Sequence, residues 1–356
     1  MDLLKCPCVC DSVPEGYLVG IGNPLLDISA TVEPDMLTKY GLNANDAIMA
    51  EEKHLPLYKE LVEKYNASYL AGGSVKNSLR IIQWILKKPN VCTYFGCVGD
   101  DDFATVLKEK AISDGVNVLY QVDKEEPTGT CAVLLTSGGT RRSLCANLGA
   151  ARKFTPDHLE KPECKKAIQN AKIFYASGFF VAVSPESVMK LAKHAHENNL
   201  RFCFNVSAAF VMEHFKPQLD ELLPYIDYLF GNTDETMSFA NAFGMKGSIE
   251  EIGFQMAALP KLNKERPRVV IITQSHDPVI VIQNDEIFKV PVTPLTAEEI
   301  VDTNCAGDAF TGGFLSQLIQ DKPLKQCVQC GIYTANQVIR VSGCSLTGES
   351  NFQVPE

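Results

Sequence analysis

Apolar runs alternate with amphipathic segments through the second half of the chain. Residues after Ser184 and Pro185 repeat apolar side chains at helical spacing, and these two residues match an N-cap followed by proline at the first helical position. Short apolar runs typical of buried strands occupy residues 173–176, 202–206, 228–230 and 268–273. Strands separated by helices predict βαβ units, and therefore an α/β fold with a mostly parallel central sheet flanked by helices.

The first half of the chain has a different pattern. Residues 19–22 are typical of a central strand of the main sheet, whereas residues 27–32 and 131–136 alternate like strands with one exposed face. We expect segments within about 24–50 and 119–148 to form a small β-rich lid. The predicted organisation is therefore a tail over residues 1–16 and one α/β domain over residues 17–356. Residues 308–340 predict two helices broken near Lys322 and Pro323.

Charge and cysteine content narrow the class of protein. The 356 residues carry a formal net charge of −10, which argues against a nucleic-acid or anionic-membrane partner. No apolar stretch reaches the roughly 20 residues that span a bilayer. With no secretory signal before them, the 13 cysteines indicate reduced thiols in a cytoplasmic protein, with nuclear presence left open. Cys6, Cys8 and Cys10 favour a flexible tail over a metal or redox site, because no second ligand cluster has zinc-site spacing.

The segment 302–308, DTNCAGD, is the strongest candidate for chemistry. Small residues precede an apolar helix predicted over residues 309–319, and backbone N–H groups at such a turn converge on one point. This arrangement suits a phosphoryl group in transfer, with Asp308 placed to accept a proton from an attacking hydroxyl. The alternative is an ordinary helix start with a capping acid.

Three further polar clusters fit the same chemistry. The Gly72–Gly73 pair allows close backbone approach to a ligand, and Asn77 follows one helical turn later. Asp27, just past the first strand, is suited to two neighbouring ribose hydroxyls. Asn232 and Glu235 begin a helix and suit waters around Mg²⁺. Each cluster has a structural alternative: a common turn for Gly72–Gly73, a structural role for Asp27, and a capping box for Asn232 and Glu235. Together the four clusters predict phosphoryl transfer to a ribose hydroxyl.

These residues resemble the ribokinase-like (PfkB-type) carbohydrate kinase family. Its two signatures are matched at Gly72, Gly73, Asn77, residues 96–99, Asp101, Asp302, Thr303, Ala306, Gly307 and Asp308. Residues 22–29, 127–131, 143–148, 178–180 and 183–187 are similar to the members that act on adenosine. The resemblance implies a ribokinase-like fold and transfer of the ATP γ-phosphate to the 5′-hydroxyl of adenosine with Mg²⁺. It also suggests a monomer, and it leaves open a monovalent cation near Asp302 and Asn304.

The resemblance assigns roles position by position. It implies Asp308 as general base, Ala306 and Gly307 in the anion hole, and Arg142 on phosphate oxygens. The expected nucleoside contacts are Asn23, Leu25, Asp27, Gly72, Gly73, Asn77, Cys131, Leu144, Ala146 and Phe179, with Phe179 stacked on the purine. The expected ATP contacts are Asn232, Thr273, Asn304, Cys305 and Gly307. The expected magnesium-organising pair is Asn232 and Glu235.

Three positions depart from the family pattern. Cys305 replaces the first glycine of the anion-hole motif, and a positive φ there would cost about 1 kcal/mol; its thiol would also make activity sensitive to oxidation. Ala47 and Ala297 stand where glutamines are expected, which puts purine selectivity in doubt. The alternatives to adenosine phosphorylation are a related kinase for a sugar, inosine or guanosine, and a catalytically silent binding protein.

Overall fold

The structure is a computed structural model, and it describes residues 13–139, 141–346 and 348–354. The strands β1 to β14 are, in chain order, Leu18–Ile21, Leu26–Thr31, Ala47–Met49, Ser68–Ala71, Cys92–Gly99, Asn117–Asp123, Thr128–Thr136, Arg141–Gly149, Ile173–Ser177, Arg201–Asn205, Tyr228–Asn232, Val269–Gln274, Asp277–Gln283 and Glu286–Val290. The helices α1 to α13 are, in chain order, Pro34–Tyr40, Leu55–Lys64, Ser74–Leu86, Asp102–Ser113, Pro162–Asn170, Gly178–Val181, Pro185–Glu197, Ala209–His214, Lys216–Leu222, Thr233–Phe243, Ile249–Ala258, Ala306–Leu318 and Leu324–Ile339.

A nine-stranded sheet forms the centre of the fold. Its order is β14-β13-β12-β11-β10-β9-β1-β5-β6, and every pairing from β12 to β6 is parallel. Only β13 and β14, at one edge, pair antiparallel. Two large clusters of buried apolar side chains, one containing Phe174 and the other Tyr175, lie on the two faces of the sheet. The expected α/β fold, with a mostly parallel central sheet flanked by helices, is confirmed.

A second, five-stranded sheet has the order β3-β8-β7-β2-β4. Four of its strands come from the segments where a β-rich lid was predicted, and the fifth, β4 (Ser68–Ala71), lies outside them. Residues 119–123 belong instead to β6 of the large sheet. Apolar side chains on one face of the small sheet pack on α1 and α2. Its other face is turned toward the carboxyl ends of the large sheet's strands, where both sheets line one cavity.

Several local predictions need correction. Helix α12 begins at Ala306 rather than at residue 309, which places Asp308 in its first turn. Strand β12 begins at Val269, so Arg268 precedes it. Ser184 occupies the N-cap position of α7, but its hydroxyl pairs with the Ser187 hydroxyl at 2.7 Å instead of capping the backbone.

Two further expectations concerned reduced cysteines and the lack of a membrane-spanning segment. The tail containing Cys6, Cys8 and Cys10 lies outside the described residues. The ten cysteines that are described are all buried free thiols. Within the described parts of the chain, no helix is long and apolar enough to cross a membrane.

Candidate active site

The carboxyl ends of the parallel strands open into one cavity of about 600 Å³ between the two sheets. This is the position where ligands bind in open α/β sheets, and the volume is in the range of small-molecule sites. The cavity is lined by all but one of the residues that were assigned a catalytic, nucleoside-binding, ATP-binding or magnesium role: Asn23, Leu25, Asp27, Gly73, Asn77, Cys131, Arg142, Leu144, Ala146, Phe179, Asn232, Glu235, Thr273, Asn304, Cys305, Ala306, Gly307 and Asp308. The exception is Gly72, which packs behind Asp27.

Asp308 is fixed by side chains from the start of α3. The Ser74 hydroxyl donates to its Oδ1 at 2.6 Å, and the Asn77 amide donates to its Oδ2 at 3.0 Å. Burial raises the pKa of Asp308, and the bonds from Ser74 and Asn77 oppose that rise. The carboxylate is therefore held in one orientation while its proton affinity is raised, which is the combination that a general base requires.

The first turn of α12 contains Ala306 and Gly307, the residues for which an anion hole was predicted. The opening N–H groups of a helix have no intrahelical partner, and the helix dipole adds positive potential at the same point. Among the described residues, nothing lies within 4 Å of a side chain added at Gly307, so the turn faces open space. Asp302 is buried, and its carboxylate accepts the Asn304 and Gly343 N–H groups at 2.7 Å each. These bonds hold the loop that leads into α12.

Cys305 adopts the positive φ that the glycine of the family motif would favour. Its φ is 65° and its ψ is 4°, in the left-handed region that favours glycine. The strained residue is the N-cap of α12, and its Sγ accepts a hydrogen bond from the Asn77 amide at 3.3 Å. The thiol also contacts Cys344, which lies close enough for a hydrogen bond between the two sulfurs. Cys305 thus couples α12, α3 and the C-terminal segment.

The Gly72–Gly73 turn brings the backbone against Asp27. A Cβ at Gly72 would lie 2.3 Å from the Asp27 carboxylate, and one at Gly73 would lie 2.5 Å from the Asn23 carbonyl. Gly73 also has a φ of 97°. Only glycine satisfies both positions. Burial raises the pKa of Asp27 to about 7, with Lys76 opposing the rise and Asp308 and Asp302 adding to it.

An apolar slot lies beside these polar groups. Leu25, Leu144 and Ala146 belong to one cluster on the inner face of the small sheet. Across from them, the Phe179 ring packs on Phe210 with centroids 6.0 Å apart. The Asn23 amide donates to the Phe179 carbonyl at 3.2 Å. The buried Asn23 Oδ1 has no hydrogen-bond partner among the described residues, so it remains available for a ligand.

Asn232 and Glu235 form a reciprocal capping box at the start of α10. The Glu235 N–H donates to Asn232 Oδ1 at 2.8 Å, and Asn232 N and Nδ2 donate to the Glu235 carboxylate at 3.0 and 2.9 Å. Burial raises the pKa of Glu235 to about 7, and the nearby charge of Arg142 opposes the rise. Arg142 also opposes the rise in the pKa of Asp308. Its guanidinium therefore lies within electrostatic reach of both carboxylates.

Comparison with known proteins identifies the family. The profile of the pfkB family of carbohydrate kinases matches residues 34–351. The chain belongs to this pfkB family. Among relatives of this pfkB-family chain, Adenosine kinase 2 of Arabidopsis thaliana is 45% identical over 339 residues, 95% of this chain and 98% of the relative. The adenosine kinase of Schizosaccharomyces pombe is 42% identical over 92% of this chain and 96% of its own length.

Solved structures of adenosine kinases share the fold. The enzyme of Anopheles gambiae, crystallised with P1,P4-di(adenosine-5) tetraphosphate, is 51% identical with a TM-score of 0.93, over 95% of this chain and 100% of that one. The enzyme of Schistosoma mansoni in complex with 2-fluoroadenosine is 34% identical with a TM-score of 0.91, over 95% of this chain and 99% of that one. The matches to this pfkB-family member thus extend over nearly the whole length of both chains.

Several lining residues were missed by the sequence reasoning. Ser74 donates a hydrogen bond to Asp308, but its position directly after Gly73 indicates only the start of a helix. Asn45 accepts the Arg142 N–H at 3.2 Å and joins the segment before β3 to β8. Met49 and Phe210 line the apolar slot, but an isolated apolar residue carries no signal that separates a ligand contact from a core contact.

The two alanines that replace expected family glutamines lie in different places. Ala47 begins β3, pairs with Leu144 and lines the cavity, so a change of purine selectivity there remains a prediction. Ala297 lies in the exposed turn Ala297–Glu299 and is not among the cavity-lining residues that the structure describes.

Proposed function

We propose that this protein transfers the γ-phosphoryl group of ATP to the ribose 5′-hydroxyl of adenosine, producing AMP and ADP. One observation carries the proposal: Asp308 lies in the first turn of α12, inside a cavity that also holds hydroxyl-binding groups and a flat apolar slot. A base beside an anion hole suits phosphoryl transfer in general. The polar and apolar halves of the cavity make a nucleoside the best-fitting acceptor.

Adenosine would lie with its ribose against the small sheet and α3. Asp27, Gly73 and Asn77 are the proposed partners of the 2′- and 3′-hydroxyls, since a carboxylate accepts two neighbouring O–H groups. The buried Asn77 Oδ1 has no partner among the described residues, which leaves it able to accept from a hydroxyl. Phe179 would stack on the purine, with Leu25, Leu144 and Ala146 on the other side and Asn23 and Cys131 at the margin.

The transfer itself would use few groups. Asp308 would accept the proton of the 5′-hydroxyl through whichever carboxylate oxygen faces it, while Ser74 and Asn77 keep the carboxylate oriented. The backbone N–H groups at Ala306 and Gly307 would stabilise the charge on the moving phosphoryl oxygens, and Arg142 would bind those oxygens from the small sheet. Thr273, Asn304 and Cys305 would line the ATP side.

Magnesium would arrive as part of MgATP, and Asn232 with Glu235 fit a hydrated ion. Among the described residues, no three His, Cys, Asp or Glu side chains cluster as a direct metal site. Mg²⁺ often keeps several waters and binds through one or two carboxylates plus substrate phosphates, so a single glutamate beside the phosphate site is sufficient. The ion would neutralise charge on the ATP phosphates. A monovalent cation near Asp302 is a further, separate hypothesis.

The small sheet is proposed to act as a lid. It carries Asp27 and Arg142, so its approach to the large sheet would bring nucleoside and phosphate contacts together and exclude water from the reacting groups. We also propose that the protein acts as a monomer in the cytoplasm, in keeping with its acidic net charge and its buried free thiols.

An acceptor panel tests the proposal. ATP- and Mg²⁺-dependent phosphorylation is measured by chromatography with adenosine, 2′-deoxyadenosine, inosine, ribose and fructose. Adenosine is expected to have the highest kcat/KM, with AMP as its product. If ribose or inosine were preferred, the assignment of the apolar slot would be wrong. If no acceptor were phosphorylated, a silent binding protein would replace the kinase.

A further inference from the structure

Lys76 is a buried cation at the edge of the candidate site. It is the third residue of α3, between Ser74 and Asn77, and only 2% of its surface is exposed. Ser74 and Asn77 bond Asp308, whereas the Lys76 ammonium group bonds a backbone carbonyl at the end of β4. A buried ammonium group is costly unless it is paired and hydrogen-bonded. Its contacts therefore indicate what holds it there.

The ammonium group joins the glycine turn to the helix. Lys76 Nζ donates to the Ala71 carbonyl at 2.6 Å. Ala71 ends β4, and Gly72 and Gly73 follow directly before α3 begins. The bond therefore closes the chain segment in which Gly72 packs against Asp27 and in which Gly73, a proposed ribose contact, packs against Asn23. The Gly72 N–H also donates to the Leu25 carbonyl at 2.8 Å, so the turn is held both from the residue before β2 and from α3.

The nearest acid does not neutralise this charge. Asp114 lies 3.8 Å from Lys76 Nζ, but it also pairs with Arg80 Nε at 3.1 Å and with Lys110 Nζ at 3.0 Å. One carboxylate is thus shared among three cations. The charge of Lys76 is therefore only partly neutralised by Asp114. Coulombic interactions in a poorly solvated interior extend over several ångströms, so this charge can act on other groups nearby.

Both site carboxylates lie close to this buried charge. Lys76 Nζ bonds the Ala71 carbonyl, and the next residue, Gly72, packs against the Asp27 carboxylate. Ser74 and Asn77, on the same turn of α3 as Lys76, bond the Asp308 carboxylate.

Burial raises the pKa of Asp27 and of Asp308, and Lys76 opposes the rise at both. The negative charge of Asp302 adds to the rise in the pKa of Asp27. Burial lowers the pKa of Lys76 itself to about 8, with the neighbouring Arg80 adding to the fall and Asp114, Cys344 and Asp27 opposing it. Lys76 is therefore protonated below about pH 8, a range that includes the pKa of about 7 for Asp27.

We propose that Lys76 is a positioning residue of the nucleoside site: it holds the Gly72–Gly73 turn against α3, and its charge favours the ionised forms of Asp27 and Asp308. This inference rests on the proposed kinase function. Lys76 contacts neither substrate and acts through the turn and the two carboxylates. Its removal therefore affects the adenosine KM and the acidic side of the pH profile, and leaves the ATP KM unchanged.

The test compares Lys76→Met with Lys110→Met in the full-length protein. Both variants remove a lysine paired with Asp114, but Lys110 is half-exposed and belongs to α4. For each, kcat/KM for adenosine is measured from pH 5.5 to 9, with the melting temperature as a control for folding. We expect Lys76→Met to raise the adenosine KM and to move the acidic limb up by about one pH unit, a loss of about tenfold on that limb. Lys110→Met is expected to keep the wild-type profile.

Lys76→Gln separates the two parts of the proposal. Glutamine keeps a donor for the Ala71 carbonyl but carries no charge, so this variant should shift the acidic limb as Lys76→Met does and raise KM less. It also serves if Lys76→Met does not fold. A wild-type acidic limb in both variants, or an equal shift in Lys110→Met, would overturn the inference. Wild-type protein that does not phosphorylate adenosine would instead refute the proposed function.

Discussion

Asp308→Asn removes the proposed base while preserving its shape. In the wild-type protein, Asp308 Oδ1 accepts from the Ser74 hydroxyl at 2.6 Å and Oδ2 accepts from the Asn77 amide at 3.0 Å. An asparagine can keep its carbonyl oxygen toward Asn77 and turn its NH₂ toward Ser74, whose hydroxyl also accepts. Both contacts therefore survive, and we expect folding and substrate binding to change little.

The predicted effect is confined to catalysis. General base catalysis contributes about 10²- to 10⁴-fold to a rate, so kcat should fall by that range, about 3 to 5 kcal/mol in the barrier. The adenosine KM should stay within about threefold, because an amide keeps the hydrogen bonds and lacks only the proton affinity. The assay follows AMP formation from adenosine and MgATP by chromatography. Asp285→Asn, in the exposed turn between β13 and β14, controls for loss of one negative charge.

Two results would refute this reasoning about Asp308. A kcat loss below tenfold, with wild-type KM and melting temperature, would show that another group accepts the 5′-hydroxyl proton. A large loss accompanied by a marked fall in melting temperature would show that Asp308 is mainly structural, because its bonds to Ser74 and Asn77 would then be the interactions that were lost.

Three further predictions address the same cavity. Because burial raises the pKa of Asp308 and brings that of Asp27 to about 7, and both must be ionised, kcat/KM for adenosine should fall as the pH drops below about 7, as a pH–rate profile would reveal. Gly72→Ala should raise the adenosine KM at least tenfold, since its Cβ would lie 2.3 Å from the Asp27 carboxylate; an unchanged KM would contradict the packing argument. Cys305→Gly should have a free energy of unfolding in urea about 1 kcal/mol higher than Cys305→Ala, because both variants lose the Sγ contacts and only glycine adopts a φ of 65° without strain; equal stabilities would contradict the strain argument.

The large sheet could be predicted because its strands are buried on both faces. Such strands are short continuous apolar runs, and the runs at 173–176, 202–206 and 228–230 became β9, β10 and β11 with ends shifted by no more than two residues. Helices between them force parallel neighbours, so the layer order followed from the alternation. The sequence pattern therefore predicted the parallel part of the large sheet.

Short strands of the small sheet were beyond such reasoning. Strand β3 has three residues and β4 has four, all partly or fully exposed, so neither forms an apolar run. Both are strands only because β8 and β2 supply their hydrogen-bond partners. The start of α12 was missed for a related reason. Its boundary depends on the left-handed conformation of Cys305, which the side chain itself does not favour.

Site residues were easier to find than the contacts between them. Motif spacing places Asp308 at a helix start, but only the fold brings it beside Ser74, 234 positions earlier in the chain. Lys76 gave no signal, because a lysine on a helix near a glycine turn is normally solvated. Its burial follows from the packing of β4, α3 and the segment after α4 around one point.

The capping box and the magnesium interpretation of Glu235 are compatible. Each oxygen of its carboxylate accepts one hydrogen bond from Asn232, and each has a second lone pair free for a water molecule. The box fixes the carboxylate at the mouth of the cavity, so it supplies the orientation that an outer contact to a hydrated ion needs. Burial holds the pKa of Glu235 near 7, and a nearby cation would lower it. Binding of MgATP would therefore favour the ionised form of the residue proposed to organise it.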